Sequence, residues 1–557
     1  MAIVAVGTCC LSSDSIVAEH GAIRGYSNYN TFYHEVFSLA KPGLCEWSSL
    51  GKTLGGREIF LLSITAGPAA AADKPAILIV GNVHAPQLMG SELAVRIARR
   101  LVERAGKDAA VKDLLDRFTF YIIPRPSPDA SNAFFQRPLR ECEGNLRKTR
   151  DARDPDAKEP AEDLNGDGLI TMMRVADDTG RWMTHPDDPR ILIQANHDKA
   201  EHGQYDLYVE GRHDDDTPPR DGWGDGVAFN HNFPFRYPYF KPGAGPNAVS
   251  EIETRAVADF AFDHPNIAIV FSFTPEDNLT HPWHPGGDSG RAKTSLQQDD
   301  AAEFEHVAEK YRAIHGASDA PDSPAGEGSF SEWAYFQYGR WSFAARGWWI
   351  PKVDPPPPDP KKPDEKRKPP SGETRGAEQL NALNWMAREK IDGFVPWTPI
   401  QHPDFPGRKV EVGGFKPFVL LNPPAKELEP LAETHTDFVL ELARLMPRLT
   451  IQEARAEPLG GGIQRITVTV ANTGYLPTSS AMGQLSGEVF PLLLRLDAPK
   501  GSQYLKGTPR TELERIRGGD KVRWTWLIRP PERKPGQATI RVSAPAVGFA
   551  SATLELK

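Results

Sequence analysis

The segment AILIVGNVHAPQ, residues 76–87, decides the fold class of this 557-residue chain. Its first half, Ala76–Val80, is a continuous apolar run of the kind found in strands that are buried on both faces of a sheet. Helical periodicity follows at Ser91–Glu103. Because ligands bind beyond the carboxyl ends of parallel strands, the polar residues after Val80 are the first candidates for a functional site.

The alternation of buried strands and helices continues outward from this segment. Phe118–Ile123 and Ile267–Phe273 are two further apolar runs, and Glu251–Phe262 has the periodicity of a helix. A hairpin is predicted around Gly55–Gly56, before the first buried strand. This pattern predicts an α/β fold with a mixed, largely parallel sheet flanked by helices.

From Leu449 the pattern changes to short alternating strands separated by turn residues, as in RITVTVANTG and KVRWTWLIRP. These strands predict an all-β, immunoglobulin-like sandwich over residues 448–557. We therefore predict a leader or disordered start over 1–21 and an α/β domain over 22–447. Within that domain, 351–372 consists almost entirely of proline and charged residues and is predicted to be an extended, mobile loop.

Composition argues against several functional classes. A net charge of −9 disfavours nucleic-acid binding, which needs a basic face. No apolar run is long enough to span a membrane. The four cysteines lack the spacing of a metal site or a disulfide framework. The N-terminus lacks the basic region of a secretory signal, so the sequence does not determine the compartment.

Polar segments follow the buried strands in a fixed order along the chain. In that order, on an α/β pattern, they resemble the zinc carboxypeptidase (funnelin) family of metallopeptidases, whose members are often secreted or periplasmic. The resemblance covers residues 22–447, and the sandwich is similar to the C-terminal modules of many bacterial members. The segments are GNVHAPQ (81–87), NLRKTR (145–150), GVAFNHNFP (226–234), FSFTPEDN (271–278) and SFAAR (342–346).

The resemblance implies a zinc site, because the family uses three zinc ligands, a bound water and a general-base glutamate. It places His84, Gln87 and Thr274 at the zinc positions and Arg346 at the position of the general base. Neutral Gln and Thr oxygens are poor zinc ligands, and a permanently charged guanidinium beside the metal is unfavourable. We therefore predict that the metal site is degenerate, that zinc is absent and that the chain is inactive as a peptidase.

The binding residues of the family are better retained than its metal ligands. Arg147 keeps the position that stabilises the oxyanion, and Asn230 keeps the first member of the pair that holds the substrate's terminal carboxylate. His231 replaces the arginine of that pair. Together with Arg346, these residues predict a basic cleft that holds a peptide C-terminus or an acidic small ligand without cleaving it.

Two alternative functions remain open from the sequence. The chain is an active metallocarboxypeptidase if an atypical metal site has been rebuilt, for which Glu276, Asp277, His281 and His284 are the candidate ligands. Alternatively, it is a structural subunit whose β-sandwich binds a protein partner.

A second metal site is suggested by residues 163–171. Asp163, Asn165 and Asp167 occupy the first, third and fifth positions of a calcium loop, and Gly168 takes the sixth. Arg174 stands at the twelfth position, where the bidentate glutamate is missing. The alternative is an Asp-, Asn- and Gly-rich turn stabilised by bonds from side chains to the backbone.

Overall fold

The computed structural model describes residues 25–146, 161–213, 226–241, 243–286, 293–316, 319–324, 326–354, 372–531 and 536–556. The predicted leader, 1–21, and most of the proline-rich segment 351–372 lie outside the described residues. Arg147 also lies outside them.

Helices and strands alternate through the first four-fifths of the chain, and strands dominate the rest. In chain order, the elements before residue 447 are α1 (Tyr29–Ser38), β1 (Cys45–Lys52), β2 (Glu58–Ile64), β3 (Ala76–Val80), α2 (Met89–Ala105), α3 (Ala109–Arg117), β4 (Thr119–Ile123), α4 (Pro128–Ala133), β5 (Gly144–Asn145), β6 (Met172–Ala176), β7 (Trp182–Thr184), β8 (Leu192–Gln194), β9 (Tyr205–Val209), β10 (Val227–Ala228), α5 (Ile252–Asp263), β11 (Ile267–Phe273), α6 (Ala301–His315), α7 (Phe330–Phe336), β12 (Trp341–Ala345), α8 (Ala377–Glu389), β13 (Phe394–Ile400), β14 (Val410–Phe415) and α9 (Leu428–Leu445). The elements that follow are β15 (Leu449–Gly460), β16 (Ile463–Asn472), α10 (Ala481–Ser486), β17 (Leu492–Asp497), β18 (Gln503–Lys506), β19 (Arg510–Leu513), β20 (Lys521–Arg529), β21 (Gln537–Ala544) and β22 (Gly548–Glu555).

The central sheet has six strands in the order β1-β2-β4-β3-β11-β12. Strand β3 lies between β4 and β11 and runs parallel to both, so that Ile79 faces Ile122 on one side and Phe271 on the other. Strands β1 and β2 add an antiparallel edge. The mixed, largely parallel sheet predicted from the sequence is thus confirmed, and all five residues of β3 are buried.

A second sheet of six strands, in the order β13-β14-β6-β9-β7-β8, was not predicted. Its paired strands are antiparallel, and β6 to β9 come from a stretch rich in Asp, Gly and Arg in which no strand was predicted. Val175 of β6 pairs with Val410 of β14, and both are buried with Tyr208 in a small separate core. These strands were not predicted because β14, which completes their core, is distant in sequence.

The C-terminal region forms two four-stranded antiparallel sheets, as predicted for a β-sandwich. Its core is centred on the fully buried Trp526. It contacts the α/β region at Asp300, whose carboxylate accepts the Ala481 backbone N–H at 2.8 Å and lies 3.2 Å from Arg515. In the part of the chain that the structure describes, no helix is long and apolar enough to cross a membrane.

Candidate functional site

The turn after β3 places His84 and Gln87 at the carboxyl end of the central sheet. Asn82 adopts the left-handed conformation there, with a φ of 48°. Its side-chain nitrogen donates to the carbonyl oxygens of His84, Ala85 and Gln87 at 2.9–3.1 Å. Asparagine tolerates this conformation better than most residues, so the sequence Gly-Asn after the strand fixes the turn before α2 begins at Met89.

The side chain of Gln87, at the second zinc position, is hydrogen-bonded to the backbone of another residue. Its Nε2 donates to the backbone carbonyl of Arg346 at 2.5 Å, and the residue is only 1% exposed. Because a carbonyl oxygen can only accept, this bond sets the orientation of the amide. The Oε1 atom is then buried with no hydrogen-bond partner among the described residues.

Thr274, at the third zinc position, is bonded to an acidic side chain of its own segment. Its hydroxyl donates to the Glu276 carboxylate, and the Asn230 amide donates to the same carboxylate at 2.8 Å. The Asn230 oxygen accepts the Phe330 backbone N–H at 3.1 Å. The side chain predicted to hold a substrate carboxylate therefore holds a carboxylate of the chain itself.

Glu143 joins the two histidines of the cleft and was not anticipated from the sequence. Its Oε1 lies 3.1 Å from His84 Nδ1 and 3.7 Å from His231 Nε2. Burial alone would raise the pKa of Glu143, but the two imidazoles outweigh it and lower that pKa to about 2. Burial alone would lower the pKa of His84, whereas the carboxylate raises it. The only hint in the sequence was the acidic pair around Cys142, just before the NLRKTR segment.

Arg346 is anchored by backbone groups and surrounded by carboxylates. Its Nη2 donates to the carbonyl oxygens of Pro275 and Asp322, at 3.4 and 2.8 Å, and its backbone N–H donates to Asp277 at 2.9 Å. The charges that act on its guanidinium include those of Asp277, Glu378 and Asp322. The described part of the cleft thus has little net positive charge. Because Arg147 lies outside the described residues, its predicted pairing with Arg346 in a basic cleft stays a prediction.

The structure does not assemble the candidate ligands for a rebuilt metal site. Glu276 bonds Asn230 and Thr274, whereas Asp277 caps the following turn by accepting the Leu279 N–H at 2.7 Å. The ring of His281 lies 3.1 Å from the hydroxyl of the adjacent threonine. Across the described ranges, no three His, Cys, Asp or Glu side chains are grouped as metal ligands. The residues at the three family positions do not fit zinc either, because two of them offer only neutral amide and hydroxyl groups.

The predicted calcium loop is shaped by its own hydrogen bonds. The Asp163 carboxylate accepts the N–H groups of Gly166 and Gly168, at 2.7 and 2.8 Å, and the Asn165 oxygen accepts that of Asp167 at 2.9 Å. Arg174, at the twelfth position of the loop, does not replace the missing ligand. Its guanidinium instead donates to the Glu411 carboxylate of β14 at 2.8 Å. These contacts match the turn that the sequence offered as an alternative, and calcium binding stays a prediction.

Comparison with known proteins bears on the region that contains these residues. Residues 32–348, more than half of the chain, match the family model described as zinc carboxypeptidase. Residues 448–555 match a domain of unknown function.

Individual relatives match over shorter stretches. A zinc carboxypeptidase from Saccharothrix mutabilis subsp. capreolus is 27% identical over 25% of this chain and 32% of its own. Human carboxypeptidase D is 28% identical over 17% of this chain and 7% of its own. The chain thus spans about a third or less of the length of these relatives. A metallo-carboxypeptidase structure from Burkholderia cenocepacia has 14% identity and a TM-score of 0.34 over 58% of this chain and 60% of that one. On the extent of the family match, the chain belongs to the zinc carboxypeptidase family.

Proposed function

We propose that this chain is a non-catalytic member of its family that binds a peptide in the cleft at the carboxyl end of the central sheet. The observation that carries the proposal is that each of the three zinc positions has a bonding partner within the protein. The partners are Glu143 for His84, the Arg346 carbonyl for Gln87 and Glu276 for Thr274.

The chemistry of these positions supports the loss of catalysis. A zinc ion would need carboxylate, imidazole or thiolate ligands, and only His84 offers one of these at the family positions. A general base must accept a proton from water, which the permanently charged Arg346 cannot do. The Glu143 carboxylate does not replace it, because it is paired with His84 and its pKa is lowered to about 2. A base of such low pKa takes up protons poorly at neutral pH.

The peptide ligand follows from the family, whose members act on peptides. The sequence pointed to a terminal carboxylate as the anchor. In the described residues, however, Asn230 already donates to Glu276, and Arg346 is flanked by acidic side chains. We therefore propose that the peptide chain, rather than its terminal carboxylate, supplies most of the contacts.

Metal content and hydrolysis test the proposal together. Purified protein is incubated with zinc, freed of excess metal and analysed for bound zinc, and peptide hydrolysis is then measured with and without a chelator. We expect substoichiometric zinc, no hydrolysis, and calorimetric binding of peptides that persists in the chelator. A triple variant, Gln87→Glu with Thr274→His and Arg346→Glu, serves as the comparison because it reinstalls ligand and base chemistry. Stoichiometric zinc in the unmodified protein, with hydrolysis that is lost in His84→Ala, would overturn the proposal.

A further inference from the structure

The charge of the chain is divided unevenly between its two parts. Residues 448–557 carry 16 Lys and Arg side chains but only 9 Asp and Glu, which gives this part a formal net charge of +7. Since the whole chain has a net charge of −9, residues 1–447 carry −16. A basic part within an acidic chain indicates an anionic partner for that part, even though the protein as a whole is acidic.

The basic side chains of the β-sandwich gather on the outer face of the sheet β15-β16-β20-β18. Successive side chains of a strand point to opposite faces of its sheet, and Trp526 and Ile528 of β20 point into the sandwich core. The odd-numbered residues of β20 therefore point outward. Lys521, Arg523 and Arg529 belong to this outward set, and all three are exposed.

The neighbouring strands add cations to the same face. Arg465 of β16 lies opposite the outward-pointing Leu527, and Lys506 of β18 lies opposite the same residue on its other side. Arg455 of β15 lies opposite Thr467, which shares this face with Arg465. Residues directly opposite one another in an antiparallel pair point to the same face. The basic face is thus formed by Arg455, Arg465, Lys506, Lys521, Arg523 and Arg529.

Two acidic side chains offset only part of the charge of the basic face. The Glu457 carboxylate lies 3.3 Å from Arg455 and 3.5 Å from Arg465. Glu453 lies 3.5 Å from Arg455. Because like charges close together on a sheet repel, the excess of cations does not serve the stability of the fold. Four of them have no ion pair with any described residue, namely Lys506, Lys521, Arg523 and Arg529.

The surroundings of the basic face select among anionic polymers. Among the described residues of its four strands, no aromatic ring points outward, because Trp524 and Trp526 face the core. The face therefore cannot stack the bases of single-stranded nucleic acid. An anionic membrane or a nucleic-acid duplex extends well beyond one sheet and would be repelled by the acidic residues 1–447. A slender chain that carries its charges one sugar ring apart can follow the basic face alone.

We propose that the basic face binds an acidic polysaccharide. The carboxylate or sulfate groups of the sugar pair with the cations, and the planar fork of an arginine side chain matches two oxygens of one such group. The exposed amide of Gln503, opposite Arg529, is available to a sugar hydroxyl. This binding needs no residue of the cleft, so it goes beyond the proposed function and is independent of it.

Calorimetric titration of the full chain tests the class of ligand. The probes are chondroitin sulfate, neutral dextran, oligothymidylate and phosphatidylserine vesicles. We expect chondroitin sulfate to bind most tightly, with an affinity that falls at least about tenfold between about 50 and 200 mM salt, and dextran not to bind. No binding of chondroitin sulfate, or tighter binding of the oligonucleotide or the vesicles, would overturn the inference.

Two double charge reversals locate the binding on the sandwich. Arg523→Glu with Arg529→Glu acts on the basic face. Arg510→Glu with Lys500→Glu changes the net charge by the same amount but acts on β19, in the other sheet, and on the turn after β17. All four side chains are exposed, so both variants should keep the wild-type thermal midpoint.

We expect the variant of the basic face to bind chondroitin sulfate about tenfold more weakly and the matched control to bind it within about twofold of wild type. Equal losses in the two variants would show that only the net charge of the sandwich matters, and would overturn the assignment of the site. Unchanged binding in the variant of the basic face would overturn it as well.

Discussion

The side-chain amide of Asn230 donates to the Glu276 carboxylate at 2.8 Å. Asn230 was expected to hold the terminal carboxylate of a ligand, and an internal carboxylate has this contact instead. The Thr274 hydroxyl donates to the same carboxylate. Glu276 alone therefore accepts hydrogen bonds from one residue at a family zinc position and one at the family's substrate-carboxylate position. A ligand carboxylate that approached Asn230 would have to displace Glu276 and would meet its negative charge.

Glu276→Ala should therefore change the response of the cleft to peptide termini. We expect wild type to bind an amidated peptide at least as tightly as its free-acid form. In the variant, the freed Asn230 amide should shift the ratio about tenfold toward the free acid, because hydrogen bonds to charged groups are the stronger ones. Calorimetric titration with the two forms measures the ratio. Glu327→Ala, which removes an exposed carboxylate paired with Lys241, is the matched control.

A strong preference of wild type for the free acid, unchanged in Glu276→Ala, would contradict this expectation. It would support the basic cleft that the sequence predicted, with Arg147 as the main cation.

Gln87→Glu alone should not restore a zinc site. The substitution places a carboxylate oxygen against the Arg346 carbonyl, where the amide nitrogen now donates. Two acceptors in a buried contact repel, and we expect a loss of about 1–3 kcal/mol, seen as a lower thermal midpoint. Zinc should not raise that midpoint, because Thr274 still provides no imidazole. A zinc-dependent rise in Gln87→Glu would show that the remaining residues form a better metal site than their chemistry suggests.

The central sheet was predictable because its signal is local. Ala76–Val80 is apolar at every position and is buried on both faces, so its prediction required no knowledge of its neighbours. The second sheet has no such local signal, because β6 becomes a buried strand only through its pairing with β14, far along the chain. Helix α1 begins at Tyr29, because the Asn28 side chain caps it by accepting the Thr31 N–H.

In the candidate site, too, the positions of residues along the chain were predictable, whereas their contacts with distant segments were not. The resemblance selected His84, Gln87 and Thr274 by their places after strands, and the structure puts them at the end of the sheet where those strands finish. Their partners were harder to foresee. Glu143 reaches His84 from a separate segment, and Glu276 was considered only as a metal ligand. Such contacts depend on loop conformation, which a single sequence leaves open.

Asp163→Ala should loosen the loop that resembles a calcium site. The carboxylate accepts N–H groups from Gly166 and Gly168, and their loss should lower the thermal midpoint by a few degrees. If calcium binds there, adding it should raise the midpoint of wild type and leave the variant unchanged. Asp178→Ala removes an exposed carboxylate close by in the chain and serves as the control. Equal calcium responses in wild type and Asp163→Ala would remove Asp163 as a ligand.

Glu253→Gln should stabilise the protein at alkaline pH. Glu253 is 1% exposed on α5, and burial, helped by the nearby Asp129 and Glu251 carboxylates, raises its pKa to about 7. The folded state therefore keeps this proton to a higher pH than the unfolded state, and stability falls as the pH rises from the ordinary value of 4.5 through 7. The neutral amide avoids a penalty of about 2–3 kcal/mol at pH 8 and little of it at pH 4.

Thermal melts of both proteins across this range check the sign. The difference in midpoint should grow with pH and level off above pH 7. Asp259→Asn, on the exposed face of the same helix, should give a difference that does not follow this curve. A Glu253→Gln advantage that is constant from pH 4 to pH 8 would show that burial does not shift this carboxyl.

Asp300→Ala should weaken the contact between the β-sandwich and the α/β region. The buried Asp300 carboxylate accepts the Ala481 backbone N–H at 2.8 Å and the Tyr335 hydroxyl at 2.8 Å, and it lies 3.2 Å from Arg515. Removing one partner of a buried ion pair leaves the other charge uncompensated, which costs about 3–5 kcal/mol.

The neighbouring Asp299 is the matched control, since its side chain is 67% exposed and pairs with an exposed arginine. An exposed pair contributes at most about 1 kcal/mol. Scanning calorimetry should therefore show a drop of several degrees in Asp300→Ala and almost none in Asp299→Ala. Equal drops in the two variants would mean that the sandwich is held by its apolar contacts rather than by this carboxylate.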